Sequence, residues 1–291
     1  MTYKFAFDTI RDSLLQLYDV REASNIARIV LEDLSDYGTT PNRETVEIPT
    51  SIEYALPSII MRLLKHEPIQ YITGMTYFYG FKFYVNKNVL IPRPETEELV
   101  HEIIKDIKNI HQRHDRINVL DIGTGSGCIA ISIDKKIGNC NISGWDKSCS
   151  AIEVAKYNNS LLNAQVNFEC VDIFDDESVF GRTQQKPQFD IITSNPPYIP
   201  ENEKQLMSEQ VIAYEPHEAL FVSDANPLIF YERIASLAKK LLYPGGRIYF
   251  ECNEFYAEDT LSLLKDLHFD NITLINDLQN KPRILKAIKN I

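Results

Sequence analysis

At 291 residues, 44% hydrophobic and 24% charged, the chain has room for about two globular domains and an ordinary globular composition. A formal net charge of −11, with no basic stripe, argues against a protein that lives on nucleic acid. No apolar run approaches membrane-spanning length and no basic start precedes an apolar core, so neither a membrane span nor a signal peptide is expected.

Residues 1–66 read as all-helical. Phe7, Ile10, Leu14 and Leu17 share one face at helical spacing, and Ala23, Ile26, Ala27, Val30, Leu31 and Leu34 share another. Tyr37-Gly38-Thr39-Thr40-Pro41 stops the second helix. Thr50 and Glu53 have capping-box spacing before a third apolar stretch, within which Pro57 either kinks the helix or opens another. This segment reads as a bundle for packing or docking. Between 67 and 92 the character changes. Tyr71, Tyr77, Phe78, Tyr79, Phe81, Phe83 and Tyr84 crowd together, Phe81, Phe83 and Val85 alternate, and Asn86-Lys87-Asn88 signals a turn. The pattern predicts a β-hairpin whose aromatics serve either as interdomain core or as a binding wall. Pro92-Arg93-Pro94-Glu95-Thr96-Glu97-Glu98 then opens a helix with carboxylates in its first turn, buried through Leu99, Val100, Ile103, Ile104 and Ile107.

From 117 onward strands and helices alternate. Strands are expected over 118–122, 141–146, 166–171, 189–193 and 247–251. Helices are expected over 127–137, 148–162, 227–242 and 258–267, and a last pair of strands over 271–275 and 283–288. Pro244-Gly245-Gly246 ends the third of these helices. Such alternation specifies an α/β fold, a mostly parallel sheet with helices on both faces. The expected division is a helical domain at 1–74, a hairpin linker at 75–92 and an α/β domain at 93–291. The five cysteines (Cys128, Cys140, Cys149, Cys170, Cys252) have neither zinc-ligand spacing nor an even framework, and are expected to be reduced, as in the cytosol.

Four strand ends carry the chemistry. Asp121-Ile122-Gly123-Thr124-Gly125-Ser126-Gly127 joins the first strand of the sheet to its helix, and the glycines permit a tight turn and close approach of a ligand. Asp146 ends the next strand, where a carboxylate can accept from both hydroxyls of a ribose. Asp172 ends the third, within reach of an adenine amino group. Asp146 and Asp172 could instead cap the helices that follow. An acidic Asp121 beside the loop suits a cationic ligand better than a pyrophosphate, which favours S-adenosylmethionine over a dinucleotide. The fourth strand stops at Ser194-Asn195-Pro196-Pro197-Tyr198, since proline cannot continue a ladder. The Asn195 amide and the carbonyls of Asn195 and Pro196 then form a row of acceptors beside the Tyr198 ring, suited to a planar group that carries an NH2. His217, the histidine nearest this motif in sequence, is read as structural.

Together these features resemble a class I, Rossmann-like S-adenosylmethionine-dependent methyltransferase, and Asn-Pro-Pro-Tyr resembles the motif of those that methylate amino groups of adenine, cytosine or glutamine. Further stretches resemble the HemK/PrmC family of peptide chain release factor glutamine N5-methyltransferases. They are Pro68-Ile69-Gln70-Tyr71-Ile72-Thr73-Gly74, Phe78-Tyr79-Gly80, Leu90-Ile91-Pro92-Arg93-Pro94-Glu95-Thr96-Glu97 and Tyr214-Glu215-Pro216-His217-Glu218-Ala219-Leu220. Where some members carry an aromatic after the third-strand Asp, this chain has Ile173, with Phe174 next to it. The resemblance implies that Asp121, Gly123, Thr124, Gly125, Ser126, Gly127, Asp146, Asp172, Ile173 and Asn195 bind S-adenosylmethionine. It implies catalysis by Asn195, Pro196 and Tyr198, which with Pro197 bind the glutamine of a Gly-Gly-Gln motif. It further implies that no metal is needed and that the partner is a release factor, while the cysteines point to the cytoplasm and a monomer suffices. A DNA or RNA amino-methyltransferase and a non-catalytic cofactor-binding module are the alternatives.

Overall fold

The computed structural model describes residues 1–35, 45–107, 116–183 and 188–290. The chain divides into two compact units, Met1–Met75 with Glu209–Tyr214, and Thr76–Ser208 with Glu215–Ile291.

The first unit is helical: α1 (Tyr3–Leu14), α2 (Val20–Leu34), α3 (Thr50–Leu64) and the short α4 (Ile69–Thr73). The Thr2 hydroxyl caps α1 at Phe5 N, and the Asp19 carboxylate caps α2 at Glu22 N. Ile10, Leu14, Ala23, Ile26, Ala27, Val30 and Leu31 close a core with Ile52, Leu56, Ile59 and Leu63 of α3. Leu17 departs from the expected face, lying beyond α1 and exposed. The expected capping box does not form: α3 begins after Pro49 without a side-chain cap, and the Met1 ammonium takes Glu53 at 2.8 Å. Pro57 lies inside one helix and opens no second one. The expected stop at Tyr37-Gly38-Thr39-Thr40-Pro41 lies outside the described residues.

The hairpin strands β1 (Met75–Phe78) and β2 (Phe81–Tyr84) follow. Their turn is Tyr79-Gly80, both at positive φ, rather than the expected Asn86-Lys87-Asn88. Phe78 and Phe83 are buried in the core of the second unit, while Tyr77 is exposed.

Next in the chain come α5 (Pro94–Ile107), β3 (Ile117–Ile122), α6 (Cys128–Ile137), β4 (Cys140–Asp146), α7 (Cys149–Leu161) and β5 (Val166–Cys170). They are followed by α8 (Asp176–Thr183), β6 (Phe189–Ser194), β7 (Ile199–Pro200), α9 (Glu209–Tyr214) and β8 (Phe221–Val222). The chain ends with α10 (Ile229–Leu241), β9 (Leu242–Glu251), α11 (Ala257–Asp266), β10 (Phe269–Asn276) and β11 (Pro282–Lys289). Seven strands make one sheet in the order β10-β11-β9-β6-β3-β4-β5. The five from β9 to β5 are parallel, and β11 and β10 close the edge antiparallel. Side chains alternate between the faces. Leu120, Ile122, Ile192, Ile248 and Phe250 meet α10 and α11 on one side. Ile117, Val119, Ile191 and Tyr249 meet α5, α6 and α7 on the other. Pro244-Gly245-Gly246 does not separate helix from strand as expected. It sits within β9, where the register to β6 shifts, because a bulge absorbs residues that a regular ladder excludes.

One cysteine expectation is corrected. Cys149, at the start of α7, and Cys170, at the end of β5, form a disulfide, while Cys128, Cys140 and Cys252 are free and buried. A separation of 21 residues gives no hint of this proximity, which arises because α7 returns the chain to the strand beside β4.

Candidate active site

The chain leaves β3 in one direction to build β4 and β5 and returns on the other side through β6 and β9. The carboxyl ends of β3, β4 and β6 therefore flank the crevice where open α/β sheets bind ligands. A cavity of about 490 Å³ opens there. Its wall includes Gly123, Gly125, Asp146, Asp172, Ile173, Asn195, Pro196 and Pro197. Asp121, Thr124, Ser126, Gly127 and Tyr198 do not reach that wall.

Those five support it from behind. Asp121 is fully buried, with Oδ2 accepting from the Thr124 hydroxyl at 2.7 Å and Oδ1 unpartnered among the described residues. Burial pushes its carboxyl up to about 7. The loop is pinned to β4 by Gly123 N and Thr124 N, which donate to Trp145 O at 2.8 and 3.0 Å. Gly127 has φ +80°, and a Cβ there would lie 2.8 Å from the Phe168 ring, so only glycine lets α6 start this close to the sheet. At Gly125 a Cβ would meet nothing within 4 Å, leaving backbone bare on the cavity wall.

Asp146 ends β4 with its carboxylate buried in the loop. Oδ2 accepts from Gly125 N at 2.9 Å and Oδ1 from Ser148 N at 2.8 Å. Burial raises its pKa, and these two N–H groups oppose the rise. Each oxygen keeps a second lone pair for a hydroxyl on the cavity side. The cap of α7 is Ser148, whose hydroxyl accepts from Ala151 N, so capping is not the function of Asp146. With the Gly125 N–H already taken by a carboxylate, and Asp121 behind the loop, the glycine turn is a poor seat for a diphosphate. Asp172 accepts from Phe174 N at 2.9 Å and lies 3.9 Å from Lys147 Nζ. Ile173 is buried, while the half-exposed Phe174 ring meets Phe230 edge-on at 5.2 Å, an aromatic wall where Ile173 departs from the family pattern. Apolar walls beside a ribose-ready carboxylate fit a neutral adenosine better than a phosphorylated one.

At the end of β6, the Ser194 hydroxyl donates to Ile122 O at 2.7 Å and locks the strand to β3. Asn195 Nδ2 donates to Thr96 Oγ1 at 3.2 Å, and Thr96 Oγ1 donates to Glu251 Oε2 at 2.6 Å. The Tyr198 hydroxyl donates to Glu251 Oε1 at 3.2 Å, and the ring packs on the apolar core. Tyr198 therefore braces the motif from inside rather than standing on the cavity wall as a face for a planar group. Arg93, extended before Pro94, donates to Glu215 Oε1 at 2.6 Å, while Ile91 N donates to Glu215 Oε2 at 3.1 Å. This clamp, with Glu215 buried and Arg93 partly exposed, joins the segment before α5 to Pro216-His217-Glu218-Ala219, and Asn88, Val89 and Leu90 lie with Pro216–Ala219 on the cavity wall. His217, read as structural, stands on that wall with its ring 5.4 Å from Phe221.

Thr96, Glu251 and Trp145 escaped the residue-by-residue reading, and His217, read as structural, lines the cavity. A carboxylate closing the apolar run Ile248-Tyr249-Phe250, at the end of a parallel strand, was the available signal for Glu251. Among the described residues no group of three or more His, Cys, Asp or Glu could hold a metal ion.

A parallel sheet with a glycine turn after its first strand, an acidic end to its second and an acceptor-rich proline turn after its fourth defines a class I methyltransferase. The family model described as "Methyltransferase domain" matches residues 113–271. A methyltransferase structure from Pyrococcus furiosus shares the fold, with a TM-score of 0.51 and 18% identity over 79% of this chain and 98% of that one. The chain is 41% identical to a release factor glutamine methyltransferase of Bacteroides thetaiotaomicron, covering 96% of this chain and 97% of that relative. It is 38% identical to one of Flavobacterium psychrophilum, covering 94% and 95%. The chain belongs to the release factor glutamine methyltransferase family.

Proposed function

We propose that the protein transfers a methyl group from S-adenosylmethionine to the side-chain amide nitrogen of the glutamine in the Gly-Gly-Gln motif of a release factor. The carrying observation is that Asn195, Pro196 and Pro197 share one cavity with Gly125 and Asp146. When bound, S-adenosylmethionine supplies an electrophilic methyl on a sulfonium. Asp146 would hold the ribose hydroxyls, Asp172 and Phe174 the adenine, and the bare backbone at Gly123 and Gly125 the rest of the molecule, with Asp121 pinning the loop from behind through Thr124.

The chain's own task is to present a poor nucleophile, since the lone pair of an amide nitrogen is delocalised into its carbonyl. Asn195 Oδ1 and the Pro196 carbonyl accept the two N–H bonds of the substrate and aim its nitrogen. The same two acceptors stabilise positive charge as it develops there. Tyr198 holds the turn that carries both acceptors through Glu251. The N-methyl amide cation is a strong acid, and water suffices to remove its proton.

We further read the protein as a cytosolic monomer, on the strength of its family and not of its cysteines, two of which are bonded. Its helical 1–74 segment would be a module distinct from the catalytic 93–291, and the hairpin 75–92 the linker, with Phe78 and Phe83 buried in the catalytic core. No helix among the described residues is long and apolar enough to cross a membrane. The test is incubation with a release factor and methyl-labelled cofactor. Label should enter the factor, and Asn195→Ala should cut turnover far more than cofactor affinity. Label entering DNA or RNA instead would favour the amino-methyltransferase alternative. Bound cofactor with no transfer to any acceptor would favour the binding module.

A further inference from the structure

An asparagine amide is useful as an acceptor only if it is held the right way round, and its two ends have almost the same shape. In this protein the choice is made two residues away from the substrate. Thr96, in the first turn of α5, is 3% exposed, and Glu251, at the end of β9, is 1% exposed. A threonine hydroxyl has one hydrogen. Thr96 gives it to Glu251 Oε2 at 2.6 Å, so its oxygen can only accept from Asn195. The amide must then turn Nδ2 toward Thr96, as observed at 3.2 Å, leaving Oδ1 for the cavity.

We propose that Thr96 and Glu251 are positioning residues for methyl transfer, a relay that locks the Asn195 amide with its oxygen facing the substrate NH2. The proposal rests on the reading of Asn195 as an acceptor for that NH2. The lock needs a carboxylate at its base. A protonated Glu251 could donate to Thr96, which could then donate to Asn195 Oδ1. The amide would turn over and set NH2 against NH2. Three groups facing Glu251 favour its ionised form against burial. The Thr96 and Tyr198 hydroxyls donate to its carboxylate. The Tyr231 hydroxyl, from α10, donates to its backbone carbonyl at 3.1 Å. Burial raises the Glu251 carboxyl above its ordinary value and Glu95 of α5 adds to the rise, while the Thr96 hydroxyl, Arg283 of β11 (itself paired with Asp277 at 3.1 Å) and the Tyr198 hydroxyl oppose it. Thr96 also explains why the motif that opens α5 and the motif that ends β6 belong to one site although 99 residues separate them.

Thr96→Val removes the hydroxyl and keeps the shape, and Thr96→Ser restores it. In the full chain, with a release factor as substrate, we expect Thr96→Val to lower kcat by about tenfold or more. The Kd for S-adenosylhomocysteine by calorimetry should stay within about twofold, and Thr96→Ser should recover kcat to within about threefold. Glu251→Gln, which keeps the volume, should lower kcat likewise and stands in if Thr96→Val does not fold. A readout independent of turnover is the Asn195 side-chain NH2 signal in protein labelled with 15N-asparagine, assigned by its loss in Asn195→Asp. It should move in Thr96→Val and return in Thr96→Ser. An unmoved signal, an unchanged kcat in Thr96→Val, or equal losses in Thr96→Ser and Thr96→Val would overturn the relay. A wild-type protein that methylates no glutamine would instead sink the reading of the reaction, while the amide signal still decides the orientation.

Discussion

Asp146→Ala separates cofactor recognition from the rest of the account. The wild-type carboxylate spends one lone pair of each oxygen on backbone, at 2.9 Å to Gly125 N and 2.8 Å to Ser148 N. The two remaining lone pairs are those available to ribose hydroxyls. A hydrogen bond to a charged acceptor contributes about 1.5–3 kcal/mol, so losing one such bond should raise Kd by about 10- to 150-fold. The substitution also frees Gly125 N–H and the turn before α7, which adds to the loss rather than offsetting it. Asp146→Asn has nearly the same shape, but its NH2 end would face a backbone N–H, so it too should weaken binding. Titration calorimetry with S-adenosylhomocysteine reads the change directly, and circular dichroism checks the fold. A Kd within about twofold of wild type in both variants would refute the assignment of Asp146 to the ribose.

The fully buried Asp121 has a folded-state pKa of about 7 against an ordinary 3.8. The native state therefore binds the proton more tightly, and this group's contribution to stability falls as pH rises from about 4 to 7, by roughly 4 kcal/mol in all. Asp121→Asn should flatten that slope, losing roughly 2–3 kcal/mol less than wild type between pH 5 and 8 in urea titrations. Equal slopes would place a compensating cation beside Asp121. Arg93→Ala strands the buried Glu215 carboxylate and should lower stability by about 3 kcal/mol, most of it recovered in Arg93→Ala with Glu215→Ala. An additive double variant would show that the two do not act as a clamp. Reducing the Cys149–Cys170 bridge, which closes a loop of about 21 residues, should lower stability by roughly 3 kcal/mol in urea titrations. An unchanged urea midpoint on adding reductant would show that the bridge contributes nothing.

The sheet was legible because alternation of period two and helical spacing are written locally in the chain. So were the strand ends at Asp121, Asp146 and Asn195, since glycine and proline punctuate them. What escaped depends on long-range placement. Tyr198 reads as an aromatic lid until β9 brings Glu251 beneath it. Cys149 and Cys170 read as unrelated until α7 folds back to β5. The hairpin turned at Tyr79-Gly80 because both residues take positive φ there, while the stronger-looking Asn86-Lys87-Asn88 only redirects the chain afterwards. Asp121 was expected beside a cationic ligand. It lies one layer behind the cavity wall, because its side chain points to the α5, α6 and α7 face of β3.

The central claim is that Asn195 and Pro196 present a glutamine amide for methylation. Tandem mass spectrometry of a release factor, after incubation with the protein and isotope-labelled S-adenosylmethionine, tests it most directly. The account predicts one labelled methyl on the side-chain nitrogen of the Gly-Gly-Gln glutamine, and none with Asn195→Ala. A labelled methyl on any other residue, or an unmodified glutamine with a protein that binds the cofactor, would contradict it.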